Sequence, residues 1–281
     1  MNRRFLLFPG FKNKAVTLSY DDGVRQDKRL IKIMQKNGLK GTFNISSGLF
    51  DTELSDVEKG RMTKEEAIEL YTNSGMEVAV HGYKHFSLAE VDVALATNDV
   101  ITDRKELEKI FGGVIDGMAY GNGSYSDRVV EILKNCGIKY SRTTVSTENF
   151  KIPEDWLRMP ATCHHNNPKL MEFARAFVEP SNSKHYWWNI PRLFYLWGHS
   201  YEFDNNENWN VIEEFAEFIG NREDVYYATN SEIYEYVTAY DNLKFSADGD
   251  YVYNPSALDV YIDYFNDFFT IPAGKTIKIK K

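Results

Sequence analysis

Asp21 and Asp22 stand side by side at the end of an apolar run, Ala15–Tyr20, with Gly23 directly after them. Such a run reads as a strand, and the glycine lets the backbone turn sharply at its end. Side chains alternate along a strand, but the alternation breaks at a strand-to-loop turn, so both acids can reach one cavity. One carboxylate can then hold a metal while the other moves protons. A second apolar run, Met76–Val80, leads to His81 and His85. Four residues apart, both imidazoles fall on one side of a helical turn or tight loop, as a divalent metal requires of two histidines. Two imidazole nitrogens and one Asp oxygen make three ligands, which leaves room for water and substrate as catalytic centres do. Glu after His81 would suggest a thermolysin-like zincin, but Gly82 stands there. The base must come from elsewhere, and Asp21 is available.

Ser19-Tyr20-Asp21-Asp22-Gly23 and His81-Gly82-Tyr83-Lys84-His85, in this order and each after an apolar run, resemble the first two motifs of the polysaccharide deacetylases, the NodB-homology or carbohydrate esterase family 4 group. The resemblance covers roughly residues 12–240. It implies one divalent metal held by Asp22, His81 and His85, with Asp21 as the base. Zinc suits a His-rich site, and cobalt, nickel or manganese are alternatives. Leu196-Trp197-Gly198-His199-Ser200 is similar to the family's final motif, which implies His199 as general acid and Trp197 as a wall of the acyl pocket. A lone His is more often structural, but its place at the rim of a late strand favours function.

The chain departs from the family as well. Gly117-Met118-Ala119-Tyr120-Gly121 keeps the Tyr-Gly end of the third motif without its Arg, so Arg142 or Arg158 would have to substitute. By the same resemblance, a backbone N–H near Tyr120 faces the oxyanion and Tyr120 contacts substrate. Asp155-Trp156 has the form of the fourth motif, which would bring Trp156 to the substrate. Cys163-His164-His165 reads as a packed or solvated His pair, with a substrate contact or extra metal ligand as the alternative.

The elements that must position these residues alternate between strand and helix. Helical spacing marks Gln26–Asn37, Asp127–Asn135, Pro168–Val178, Asn208–Ile219 and Asn230–Val237, and strands are expected at Gly41–Ile45, Val114–Tyr120, Ile138–Ser141, Leu193–Trp197 and Val225–Ala228. Thr63-Lys64-Glu65-Glu66 has the form of a capping box opening a helix to Asn73, and Ser87-Leu88-Ala89-Glu90 repeats it before a helix to Phe111. Residues 143–168, punctuated by three prolines, read as a long functional loop. The alternation predicts an α/β fold with a parallel sheet, and the resemblance implies a distorted, seven-stranded (β/α) barrel over residues 1–240. Short β-like runs after residue 240 predict a small C-terminal β extension, 241–281, packed on the barrel.

The 281 residues suffice for one large domain, and the formal net charge of −8 without a basic stripe makes nucleic acid an unfavoured partner. Aromatics at 15% would suit stacking on sugar rings or an aromatic core equally. Cys136 and Cys163 are too few for a disulfide framework and read as reduced. The apolar run Phe5–Phe8 is shorter than the about 7–15 residues of a signal peptide, and nothing approaches a membrane span, so the expected location is the cytoplasm. The expected activity is metal-dependent removal of N-acetyl groups from an acetylated amino sugar or polysaccharide. The alternatives are hydrolysis of a small amide or imide, or a catalytically degenerate carbohydrate-binding protein.

Overall fold

The computed structural model describes residues 3–50, 60–179 and 190–279. In chain order, β1 (Leu6–Leu7) precedes β2 (Lys14–Asp21), α1 (Asp27–Lys36), β3 (Gly41–Ile45), α2 (Lys64–Thr72) and β4 (Glu77–Val80). Then come α3 (Val93–Phe111), β5 (Gly117–Ala119), α4 (Asp127–Asn135), β6 (Tyr140–Ser146), β7 (Met159–Ala161), β8 (Cys163–His164) and α5 (Leu170–Val178). β9 (Arg192–Gly198), α6 (Glu202–Asn205), α7 (Trp209–Ile219), β10 (Val225–Tyr227) and α8 (Asn230–Asp241) follow. The chain ends with β11 (Lys244–Phe245), β12 (Tyr251–Tyr253), β13 (Val260–Tyr264), β14 (Asp267–Ile271) and β15 (Thr276–Lys278).

The central sheet is parallel throughout, in the order β7-β6-β5-β4-β3-β2-β9-β8, with β10 joined to the start of β2. All eight residues of β2 are buried, as expected of a parallel strand covered on both faces. One bent stretch bridges the two ends of the sheet. Ala161 pairs with Ser146 of β6, Thr162 N donates to Tyr195 O at 2.8 Å, and Cys163 pairs with Leu196 of β9. With β7 and β8 serving as one stave, the sheet forms the distorted, seven-stranded (β/α) barrel expected from the sequence.

The helices around it pack on the outer face. α2 opens with both bonds of the Thr63–Glu66 capping box. The second box expected at Ser87 is not formed: α3 starts at Val93, where the Asp92 side chain accepts from Leu95 N at 2.9 Å. An aspartate directly before the helical stripe outcompetes a serine five residues earlier for the orphan N–H groups. The stretch 143–168 is also more regular than expected, because β6 continues to Ser146 and β7 and β8 lie within it. Strands of two or three residues are too short to show a period.

The N-terminal ends of the strands meet α8 and two small antiparallel sheets, β1-β13-β14 and β11-β12-β15. Here the beginning and end of the chain are knitted together. Leu6 pairs with Ile262, and Tyr236 on α8 donates its hydroxyl to Leu7 O at 2.6 Å. An apolar cluster including Leu6, Phe8, Tyr195, Tyr236, Val252 and Ile262 runs from the barrel interior into this floor. Cys136 and Cys163 are free and buried. Among the described residues, no helix is long and apolar enough to cross a membrane.

Candidate active site

Asp21 is the last residue of β2 and Asp22 the first beyond it, with φ at +81°. A non-glycine residue in the left-handed region costs of order 1 kcal/mol and needs a surrounding structure that imposes it. The turn lets both acids reach the same histidine pair, as the sequence suggested, Asp21 Oδ2 lying 3.8 Å from His81 Nε2 and Asp22 Oδ1 3.8 Å from His85 Nε2. Asp21 Oδ1 accepts from Asn44 Nδ2 at 2.8 Å, and Oδ2 accepts from Arg142 Nη2. Burial alone would raise the Asp21 carboxyl, but the Arg142 guanidinium, helped by His81 and His199, brings it down to about 2. Asp21 is therefore anionic at any working pH. Arg142 arrives from β6 and lies 4.4 Å over the Trp197 ring, while Arg158 is spent on Asp127 and Asp155, each at 2.6 Å. Of the two arginines considered from sequence, Arg142 meets the acid.

His81 follows β4 and is held at two points. Its N–H donates to Asp103 Oδ2 at 3.0 Å, and its Nδ1 lies 2.9 Å from Ala119 O. A carbonyl only accepts, so the ring proton sits on Nδ1 and Nε2 is a bare lone pair. Burial lowers the His81 pKa to about 4 and keeps the ring neutral. His85, at φ +56°, turns its Nε2 to within 3.1 Å of His81 Nε2 and 3.8 Å of Asp22 Oδ1. The loop between them needs Gly82, whose φ is +89° and where a Cβ would stand 2.5 Å from Asp99 Oδ2. Asp99 in turn accepts from Lys84 N at 2.7 Å, so two aspartates one turn apart on α3 pin the histidine loop. One donor atom each from Asp22, His81 and His85 lies within 4.8 Å of the others. Two imidazoles and a carboxylate converging on one point, with one imidazole locked neutral by a carbonyl, fit a divalent cation of the zinc class.

His199 follows β9. Its Nδ1 is 3.0 Å from Glu202 Oε1 and its Nε2 is 3.9 Å from Asp21 Oδ2. Burial works against protonation of this ring, but the bond to Glu202 and the charges of Asp21 and Asp22 outweigh it and raise the pKa. Glu202 opens α6, one turn after His199. Burial would raise its carboxyl, but the histidines around it outweigh that and hold it well below the ordinary range. Trp197 is buried, with its edge toward His164 and His199 at ring distances of 4.6 and 5.8 Å.

The structure thus gathers Asp21, Asp22, His81, His85, Trp197 and His199 at the C-terminal rim of the barrel. Two expected residues lie elsewhere. Trp156 packs edge-on against Tyr234 of α8 at 5.3 Å and under Arg3 at 5.5 Å, while Asp155 holds Leu157 N and Arg158. This dipeptide precedes β7 and serves the floor, so the fourth-motif reading is corrected. Tyr120 is buried, donates its hydroxyl to Leu157 O at 2.6 Å, and gives its own N–H to Arg142 O at 3.1 Å. Both its donors are engaged within the wall, and neither the substrate contact nor the oxyanion N–H expected there falls to Tyr120. The His164–His165 pair, read chiefly as packed or solvated, comes to the site through Glu202. Sequence reasoning missed Glu202, although an acid three residues after His199 was a readable signal. It also missed Asn44 and Arg61, whose Nη2 donates to Asp22 Oδ1 at 3.0 Å, and these had no local signal.

The fold and its rim define a (β/α) barrel that carries a His-His-Asp group of candidate cation ligands. Residues 9–141 match the family described as polysaccharide deacetylase. Both motifs that carried the resemblance lie inside that match. A comparison with curated proteins finds no match. Among solved structures, a protein of Mycobacterium smegmatis assigned as a polysaccharide deacetylase is similar at 18% identity and TM-score 0.59, covering 84% of this chain and 94% of that one. A family 4 carbohydrate esterase from Streptomyces lividans, solved with acetate, is similar at 14% identity and TM-score 0.50, over 77% of this chain and 93% of that one. At these identities the likeness establishes the fold.

Proposed function

We propose that this chain is a metal-dependent deacetylase that hydrolyses the N-acetyl group of an acetylated amino sugar, releasing acetate and a free amine. The observation that carries the reading is the placing of the Asp21 carboxylate and the His199 imidazole 3.9 Å apart, beside the three-donor group. Asp22, His81 and His85 would hold a divalent cation, which when bound would supply Lewis-acid polarisation of the amide carbonyl and of a water. Asp21 takes the proton of the attacking water. Asn44 and Arg142 fix its two oxygens, so its lone pairs point where the geometry needs them and no reorientation precedes the step. His199, whose proton affinity Glu202 raises, gives its proton to the departing nitrogen as the C–N bond breaks. Trp197, beneath the Arg142 guanidinium, forms an apolar wall for the acetyl methyl. The intact base, acid and donor set favours turnover over a degenerate binding role.

Metal analysis of the purified chain, followed by amine release from acetylated chitooligosaccharides with and without chelator, tests this. Stoichiometric cation with chelator-sensitive release is the expected result. Cation without release would move the substrate to small amides or imides, and failure to take up cation after reconstitution would sink the enzymatic reading.

A further inference from the structure

A second group of donors lies on the other side of Glu202. His164 Nε2 and His165 Nε2 stand 3.3 and 2.9 Å from Glu202 Oε2, and one donor atom from each of the three residues lies within 4.8 Å of the others. His165 is fully buried, sandwiched between Phe203 at 4.2 Å and Tyr20 at 5.7 Å. Its Nδ1 is packed against Gly198, where a Cβ would stand 2.0 Å away, so no side chain can reach that nitrogen. Neither of its ring nitrogens has a hydrogen bond of good geometry, even though Nε2 is close to a carboxylate. A buried imidazole left without a proper bond is costly unless something else satisfies it. His164 and Glu202 are both partly exposed, so an ion can enter from their side.

We propose that His164, His165 and Glu202 form a second site for a divalent transition cation, distinct from the Asp22–His81–His85 group. Two imidazole nitrogens and one carboxylate oxygen suit zinc or cobalt rather than calcium or magnesium, which take oxygen ligands. The site asks two concessions, both from Asn166. His164 Nδ1 accepts from Asn166 N at 3.2 Å, and this contact must be given up when Nε2 becomes a ligand. That is a long, neutral bond, small beside a three-ligand site. Asn166 also donates its Nδ2 to Glu202 Oε2 at 2.9 Å, and the ion takes that place. The carboxylate is shared: Oε1 holds His199 while Oε2 faces the second group. An ion drawn onto Glu202 pulls the carboxylate away from His199 and slackens the bond that orients the acid.

Equilibrium dialysis of the full chain against zinc alone, and the visible spectrum of its cobalt form, test the site without reference to any substrate. The wild-type chain should bind about two equivalents, His164→Gln about one, and His81→Ala about one. His164 is partly exposed, so the glutamine variant is expected to fold, and its circular dichroism checks this. One equivalent in the wild type, or two retained in His164→Gln, would overturn the proposal. The coupling rests on the deacetylase reading and is assayed separately. Excess zinc should slow amine release several-fold in the wild type and not in His164→Gln. Two bound equivalents with unchanged release would overturn the coupling to His199.

Discussion

The two ends of the barrel use perturbed acids in different ways. At the floor, Glu77 opens β4 and is pushed up to about 7 by burial, a larger excursion than that of Asp21 at the rim. Every partner of Glu77 nevertheless answers it. Its Oε2 accepts from Thr42 Oγ1 at 2.7 Å and from Ser231 N at 2.9 Å, and its Oε1 meets the Tyr140 hydroxyl. At the rim Asp21 is answered too, by Asn44 and Arg142, but the residues beside it are arranged differently. His81 and His85 turn ring nitrogens toward each other, and Asp22 and His85 hold left-handed backbone conformations. A perturbed acid is thus found at both ends, and perturbation alone does not mark a site. What marks it is the convergence of ligand atoms from Asp22, His81 and His85 within 4.8 Å of one another, on backbone held in unfavourable conformations.

The comparison breaks first at Asp21. Asp21→Asn keeps the shape and the bond from Asn44 but removes the base and the charge paired with Arg142, so turnover should fall about 10³-fold and the thermal midpoint should drop while bound cation holds. Near-normal turnover would refute the assignment of Asp21. Arg142→Lys comes next. It keeps the charge but loses the planar fork and the stacking on Trp197, and a base displaced by a fraction of an ångström should cost about 100-fold in kcat. Cation stoichiometry should be unaffected, which separates misplacement of the base from loss of the centre.

Legibility from the sequence follows the same division. The rim motifs could be read because each is local: Asp21 and Asp22 are adjacent, His81 and His85 one turn apart, and each follows an apolar run that folds into a buried strand. Arg142 could be named only as one of two arginines, because it reaches Asp21 across 121 residues through the packing of β6. Asp155-Trp156 misled because a dipeptide carries no information about which end of a strand it lies on, and it precedes β7 rather than following it. The parallel alternation of the barrel showed in hydrophobic period, whereas β7 and β8, too short for a period, were read as loop. The start of α3 was misplaced because capping boxes and single capping aspartates compete, and only the three-dimensional path of 87–92 decides between them.

Glu202→Gln probes the junction between the acid and its support. Glu202 raises the His199 pKa, so without its charge His199 loses its proton at lower pH. The basic limb of the kcat profile should move to lower pH, and kcat should drop about tenfold at the former optimum. An unmoved basic limb would show that His199 is not the titrating acid.

The smallest effect on turnover, and the sharpest test of the contrast, is expected at the floor. Glu77 binds its proton more tightly folded, at about 7, than unfolded, near 4.5. Its contribution to stability is therefore fully present below about pH 4.5 and lost as pH rises through 7, a difference of roughly 3 kcal/mol. Glutamine mimics the protonated form. Its oxygen can take the bonds from Thr42 and Ser231, and its amide can donate to the Tyr140 hydroxyl, which accepts as readily as it donates. Glu77→Gln should match the wild type at pH 4.5, exceed it in urea unfolding at pH 8, and leave kcat unchanged. If the variant instead kept the wild-type decline between pH 4.5 and 8, the proton would belong to another group. If it lost turnover as Asp21→Asn does, the division between a structural floor and a reactive rim would fail.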